Sequence, residues 1–136
     1  MRSLLKQIKR INKEPENGVV IENNDNLKDG LIIHLHVNEG IHEGANYDFR
    51  LAFGNEEYLD FGSPPTVVPI SSIYHPNMEE DNRICCNILG DEWEPGTTLE
   101  AIIATIYCLL ENPEFDNALI SDVGESDYEE EVQRRI

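Results

Sequence analysis

A chain of 136 residues with 40% apolar content is long enough to close one core, and reads as a single domain over residues 1–136 that needs neither disulfides nor metals. Its three cysteines, two of them adjacent, do not make the framework of a small secreted protein, and no apolar run has the length of a signal peptide or membrane span, so a reducing compartment, cytoplasm or nucleus, is expected and a membrane is not. A formal net charge of −17 argues against nucleic acid as a partner, because phosphate binding needs clustered Lys and Arg.

The charge is unevenly spread. Arg2, Lys6, Lys9, Arg10 and Lys13 lie in the first thirteen positions, and all 27 acidic residues follow them. In the same stretch Leu4, Leu5, Ile8 and Ile11 recur at helical spacing, which predicts an amphipathic helix over 3–13 that ends near Pro15 and Gly18. Its basic side is either a solvated face or a docking surface for an acidic partner. From Val19 the period changes to two. Val19 and Ile21 open a first strand, Leu31, Ile33, Leu35 and Val37 a second, Tyr47, Phe49, Leu51 and Phe53 a third, and residues 66–71 can supply a fourth. Short polar links between them predict an antiparallel meander. His34 and His36 have metal-like spacing without a third ligand, so they are expected on the outer sheet face and no metal is expected.

Farther on, Thr97 and Glu100 match the capping box at a helix start, and Leu99, Ile102, Ile103, Ile106, Leu109 and Leu110 trace a wide apolar stripe. This predicts a central helix crossing the sheet and stopped by Asn112 and Pro113, with Cys108 reading as a small hydrophobe within it. Residues 127–136 can form a last short helix with its acids first and Arg134 and Arg135 last.

Between the fourth strand and the central helix lies HPNMEEDNRICCNILGDEWEPGTTL, residues 75–99. Alternation along 84–88 puts Ile84, Cys86 and Ile88 on one side and Cys85 and Asn87 on the other, so Cys85 reads as the exposed thiol and Cys86 as the buried one. No base is evident: His75 precedes a proline in a turn, where a structural role is expected. Glu79, Glu80, Asp81, Asp91, Glu92 and Glu94 against Arg83 make an acidic rim that raises the pKa of a nearby thiol. That disfavours a cysteine hydrolase and suits a thiol that accepts an activated acyl group and presents it to an amine.

The HPN at 75–77, ICCNIL at 84–89, Trp93-Glu94-Pro95, the helix from Thr98 and Asn112-Pro113 together resemble the catalytic core of ubiquitin-conjugating enzymes. The resemblance implies an α+β fold, with an N-terminal helix, a four-stranded antiparallel meander and a central crossing helix; the C-terminal helical part is expected to be shortened relative to the family. It implies that Cys85 takes ubiquitin, or a ubiquitin-like modifier, as a thioester from an activating enzyme and passes it to a lysine of a substrate protein, usually with a ligase and with no cofactor. Asn77 then either donates to the oxyanion, a role typically worth about 3 to 4 kcal/mol, or holds the neighbouring loop. His75, Pro76 and Trp93 match structural parts of the motif. Lys6, Lys9 and Arg10 match the face that binds the activating enzyme, and Phe61 and Pro95 the loops that contact the ligase.

Three departures accompany it. Residues 58–65 read YLDFGSPP in place of a tighter Tyr-Pro pattern, Cys86 stands where leucine is usual, and Asn117, beside Asp116, stands where an aspartate orients the acceptor lysine. The segments Asn38-Glu39-Gly40, CCNILGDEWEP and EEEVQRR are similar to the neddylation branch, which leaves the modifier open. A weakly active or non-catalytic ubiquitin-binding variant is the other alternative.

Overall fold

The alternating segments pair side by side in chain order. The structure, a computed structural model, describes residues 2–14, 17–22, 30–52, 65–84, 89–90, 92–94, 97–113 and 125–136. Helix α1 (Arg2–Asn12) leads into strands β1 (Val19–Glu22), β2 (Leu31–His36), β3 (Asn46–Ala52) and β4 (Thr66–Pro69), followed by helices α2 (Leu99–Glu111) and α3 (Glu125–Arg135). The strands form one antiparallel sheet in the order β1-β2-β3-β4. This is the expected meander.

Register follows from the period of two. Ile21, Ile33, Phe49 and Pro69 stand opposite one another across all four strands and face inward, as does the neighbouring row of Val19, Leu35 and Tyr47. A one-residue slip would turn these rows to solvent, so the core itself fixes the pairing. Over the inner face lies α2. All six residues of its apolar stripe, Leu99, Ile102, Ile103, Ile106, Leu109 and Leu110, are buried against the sheet.

Two expectations about α2 are corrected. Its N-cap is Thr98, whose hydroxyl accepts the Ala101 N–H at 3.1 Å, whereas the Thr97 hydroxyl donates backward to the Glu94 carbonyl at 2.6 Å. Glu100 does not reach back to a cap; its carboxylate meets Arg10 of α1 at 3.4 Å. Cys108 is exposed rather than packed. With Ala101 and Ala104, also exposed, it lies on the helix side away from the stripe.

Side chains of α1 join this helix to both of its neighbours. Ile8 is buried and Ile11 packs against the core; Leu4 and Leu5 lie outside the residues whose side chains are described. Asn12 acts as a surrogate strand on the free edge of β1: its amide nitrogen donates to the Ile21 carbonyl at 3.0 Å and its oxygen accepts the Ile21 N–H at 2.8 Å. Where the chain turns into β1, Gly18 has φ +83° and a Cβ there would run into the His36 carbonyl.

Gln7 is buried, and its side-chain oxygen accepts the N–H of Leu99, the first residue of α2, at 2.5 Å. That N–H has no partner inside its own helix. Gln7→Ala is therefore expected to cost about 2 kcal/mol, within the range for an orphaned buried donor. Urea unfolding of the variant measures it, and a change under about 0.5 kcal/mol, typical of a surface substitution, would contradict this account.

Candidate functional site

Polar side chains on the outer sheet face satisfy one another. His34 lies between strands, Nδ1 at 2.7 Å from Asp48 and Nε2 at 3.0 Å from Glu22, and the Asp48 hydrogen bond, followed by that of Glu22, raises its pKa above 6.5. His36 pairs with Asn46 at 2.8 Å. Both histidines sit on the expected face, each engaged by side chains of the sheet.

The HPN turn lies at the other side of the molecule's core, against the end of α2. His75 is 0% and Asn77 8% exposed, and Pro76 and Met78 are buried beside them. The partners of His75 decide its tautomer. A carbonyl only accepts, so Nε2 carries the proton that goes to Leu109 O at 2.7 Å; an amide only donates, so Nδ1 accepts the Asn77 N–H at 2.9 Å. Leu109 belongs to the last turn of α2, whose carbonyls lack helical partners, and His75 supplies one. Burial lowers the His75 pKa to about 4, although the Leu109 hydrogen bond works in the other direction. A neutral, enclosed ring with both nitrogens engaged has no site left for a proton from a reacting group.

Beyond the turn the chain runs along the outer edge of β4. Asp81 adopts a left-handed conformation, φ 64°, which Asp tolerates better than most residues, and its N–H donates to Pro69 O at 2.8 Å. Three residues on, the Ile84 N–H donates to Val67 O at 2.8 Å and the Ile84 side chain is buried. Glu79, Glu80, Asp81 and Arg83 are exposed, as are Glu92 and Glu94, so the described part of the acidic rim faces solvent; Asp91 lies outside the described residues. Leu89 and Trp93, partly buried, pack against the core.

Of the residues singled out in the sequence, His75, Pro76 and Asn77 therefore share one turn docked on α2, and Trp93 packs on the same core. Lys6, Lys9 and Arg10 are exposed on α1, with Arg10 near Glu100. Cys85, Phe61, Pro95, Asp116 and Asn117 lie outside the described residues, as does Cys86. Two residues escaped sequence reasoning: His42, 1% exposed in the turn between β2 and β3, and Tyr128, 1% exposed on α3. Only the spacing of Tyr128 and Val132, four apart in an otherwise polar helix, hinted at a buried face there.

A family model described as ubiquitin-conjugating enzyme matches residues 3–135. The chain belongs to that family. This ubiquitin-conjugating enzyme is 34% identical over 125 residues to ubiquitin-conjugating enzyme E2 N of Drosophila melanogaster, an alignment covering 91% of this chain and 81% of the relative. It is 31% identical over 133 residues to ubiquitin-conjugating enzyme E2 N of Macaca fascicularis, covering 97% and 86%. To ubiquitin-conjugating enzyme E2 13 of Schizosaccharomyces pombe it is 28% identical over 133 residues, covering 97% and 88%. Enzymes of this family are thioester-forming transferases, and this ubiquitin-conjugating enzyme is one in class and in fold.

Proposed function

We propose that the chain accepts ubiquitin from an activating enzyme as a thioester on Cys85 and passes it to a lysine of a substrate protein, usually with a ligase. The observation that carries this reading is the buried His75–Asn77 turn, hydrogen-bonded to the end of α2 and followed within ten residues by the ICC segment. Burial of Ile84 supports the parity on which Cys85 was read as the outward cysteine. A thiol suits the step: it displaces the modifier from the activating enzyme, and the thioester it forms is attacked by an amine, with the sulfur leaving.

The remaining assignments follow from the family pattern. Asn77 supports the oxyanion or its loop, Asp116 or Asn117 orients the acceptor lysine, Lys6, Lys9 and Arg10 meet the activating enzyme, and Phe61 and Pro95 meet the ligase. Lys6, Lys9 and Arg10 are exposed among the described residues, and the Arg10 pairing with the half-exposed Glu100 carboxylate is a surface one worth under about 1 kcal/mol, which leaves all three open to an acidic partner.

Mixing the protein with ATP, an activating enzyme and ubiquitin, or the neddylation modifier with its own activating enzyme, tests the reading on a non-reducing gel. A thiol-sensitive adduct with ubiquitin is expected. An adduct with the neddylation modifier alone would move the enzyme to that branch, and no adduct with either would sink the catalytic reading.

A further inference from the structure

His42 is enclosed by tyrosines. Its Nδ1 lies 2.6 Å from the Tyr47 hydroxyl of β3 and its Nε2 lies 2.5 Å from the Tyr128 hydroxyl of α3. Tyr128 in turn donates to the backbone carbonyl of Tyr74 at 3.3 Å. One proton assignment satisfies the whole chain. With its own proton on the Tyr74 carbonyl, Tyr128 accepts from His42 Nε2–H, and the bare Nδ1 accepts from Tyr47 O–H. Both phenols stay protonated, since burial raises the pKa of Tyr47 to about 12 and that of Tyr128 further.

The chain of bonds ends on the peptide that joins Tyr74 to His75, and ring contacts accompany it. The His42 ring stacks on His75 with centroids 5.8 Å apart, and Tyr128 meets His75 edge-on at 6.1 Å and Tyr74 face-on at 5.8 Å. Arg135, about two helical turns beyond Tyr128, covers the Tyr74 ring, its guanidinium 4.4 Å from the centroid. The peptide before the HPN turn is thus held by α3 and His42 on one side, and by the Leu109 carbonyl, through His75, on the other. In a buried, satisfied network of this kind, a lost hydroxyl leaves its own partners unpaired, so the loss acts first on the groups it touched.

We propose that His42 and Tyr128 are positioning residues for the Asn77 turn, transmitting the docking of α3 through the Tyr74 carbonyl and the His75 ring to the Asn77 amide. The catalytic consequence rests on the function proposed above, in which Asn77 supports transfer. The positioning itself does not.

Tyr128→Phe removes one hydroxyl and keeps the buried ring. Amide hydrogen exchange by NMR should show the Asn77 N–H, which is bonded to His75 Nδ1, exchanging about tenfold faster, while the Ile33 and Phe49 amides of the sheet change less than about threefold. Tyr47→Phe, at the opposite end of the chain of bonds, leaves Tyr128 on the Tyr74 carbonyl and should leave Asn77 exchange within about threefold of the parent. In single-turnover assays Tyr128→Phe should load at the parent rate and discharge to free lysine about tenfold more slowly.

An Asn77 amide that does not respond to Tyr128→Phe, or one that responds only in step with the sheet amides, overturns the positioning role. Selective exchange with unchanged discharge from a loaded protein overturns its catalytic meaning. A parent chain that never loads overturns the proposed function, and the exchange result still decides the positioning.

Discussion

Cys85→Ser is expected to turn a thiol-labile adduct into one that survives reductant, and to slow transfer to lysine by at least about 10²-fold, or roughly 3 kcal/mol of barrier. The cause is the leaving group. A thiolate, from a group of pKa near 8.5, departs readily when an amine attacks its acyl carbon, whereas the alkoxide that leaves an oxyester is a far stronger base and departs reluctantly. Two controls make the result specific. Cys86→Ser and Cys108→Ser should each leave the labile adduct intact, and the second control matters because Cys108 is exposed on α2. Loss of the adduct in either control alone would assign the nucleophile to that cysteine.

Between pH 7 and pH 5 the fold is expected to lose about 4 kcal/mol, about 2 from each of two buried histidines. His42 and His75 are 1% and 0% exposed, and their pKa values are lowered from 6.5 to about 4. For His42 the main cause is burial, followed by the neighbouring His75. The sign follows from proton counting: between about 4 and 6.5 the unfolded chain binds more protons than the folded one, so stability falls as the pH falls through that window. One opposing effect is smaller. His34 has a raised pKa, so its contribution is present below 6.5 and is lost as pH rises through its folded value, but its side chain is 42% exposed and its ion pairs are screened. Urea unfolding at fixed ionic strength at pH 7, 6 and 5 measures the slope. A flat profile would show that neither ring has a lowered pKa in the folded protein, and a loss of about 2 kcal/mol that only one of them has.

Much of the fold was legible from local signals. Period-two apolar spacing marked β1, β2 and β3, the stretch 66–71 expected as a fourth strand runs two residues past the end of β4, and the stripe from Leu99 to Leu110 marked the buried side of α2 residue by residue. Both patterns are direct images of burial, because a strand or helix with one buried side must repeat at its own period. The misses came from partners distant in sequence. Thr97 and Glu100 satisfy the capping-box spacing, yet Thr98 caps the helix, Gln7, 92 positions away, takes the Leu99 N–H, and the Glu100 carboxylate meets Arg10. Cys108 was misread for a simpler reason: it falls opposite the stripe, and the same helical period places it in solvent.

For the site, the sequence by itself determined the chemical inventory and the family: HPN followed by ICC, a lone tryptophan, and a helix stopped by Asn-Pro. These are local combinations of residue types, and local order is what a sequence records. Only the tertiary structure decided which state those residues hold. His75 is neutral because it is buried, and carries its proton on Nε2 because Leu109 accepts there and Asn77 donates to the other nitrogen; His42 is neutral because burial, with His75 beside it, disfavours the cation, while β3 and α3 bring Tyr47 and Tyr128 to its two nitrogens. Protonation state and tautomer depend on burial and on what faces each nitrogen, and both are supplied by segments that meet only when the chain has folded.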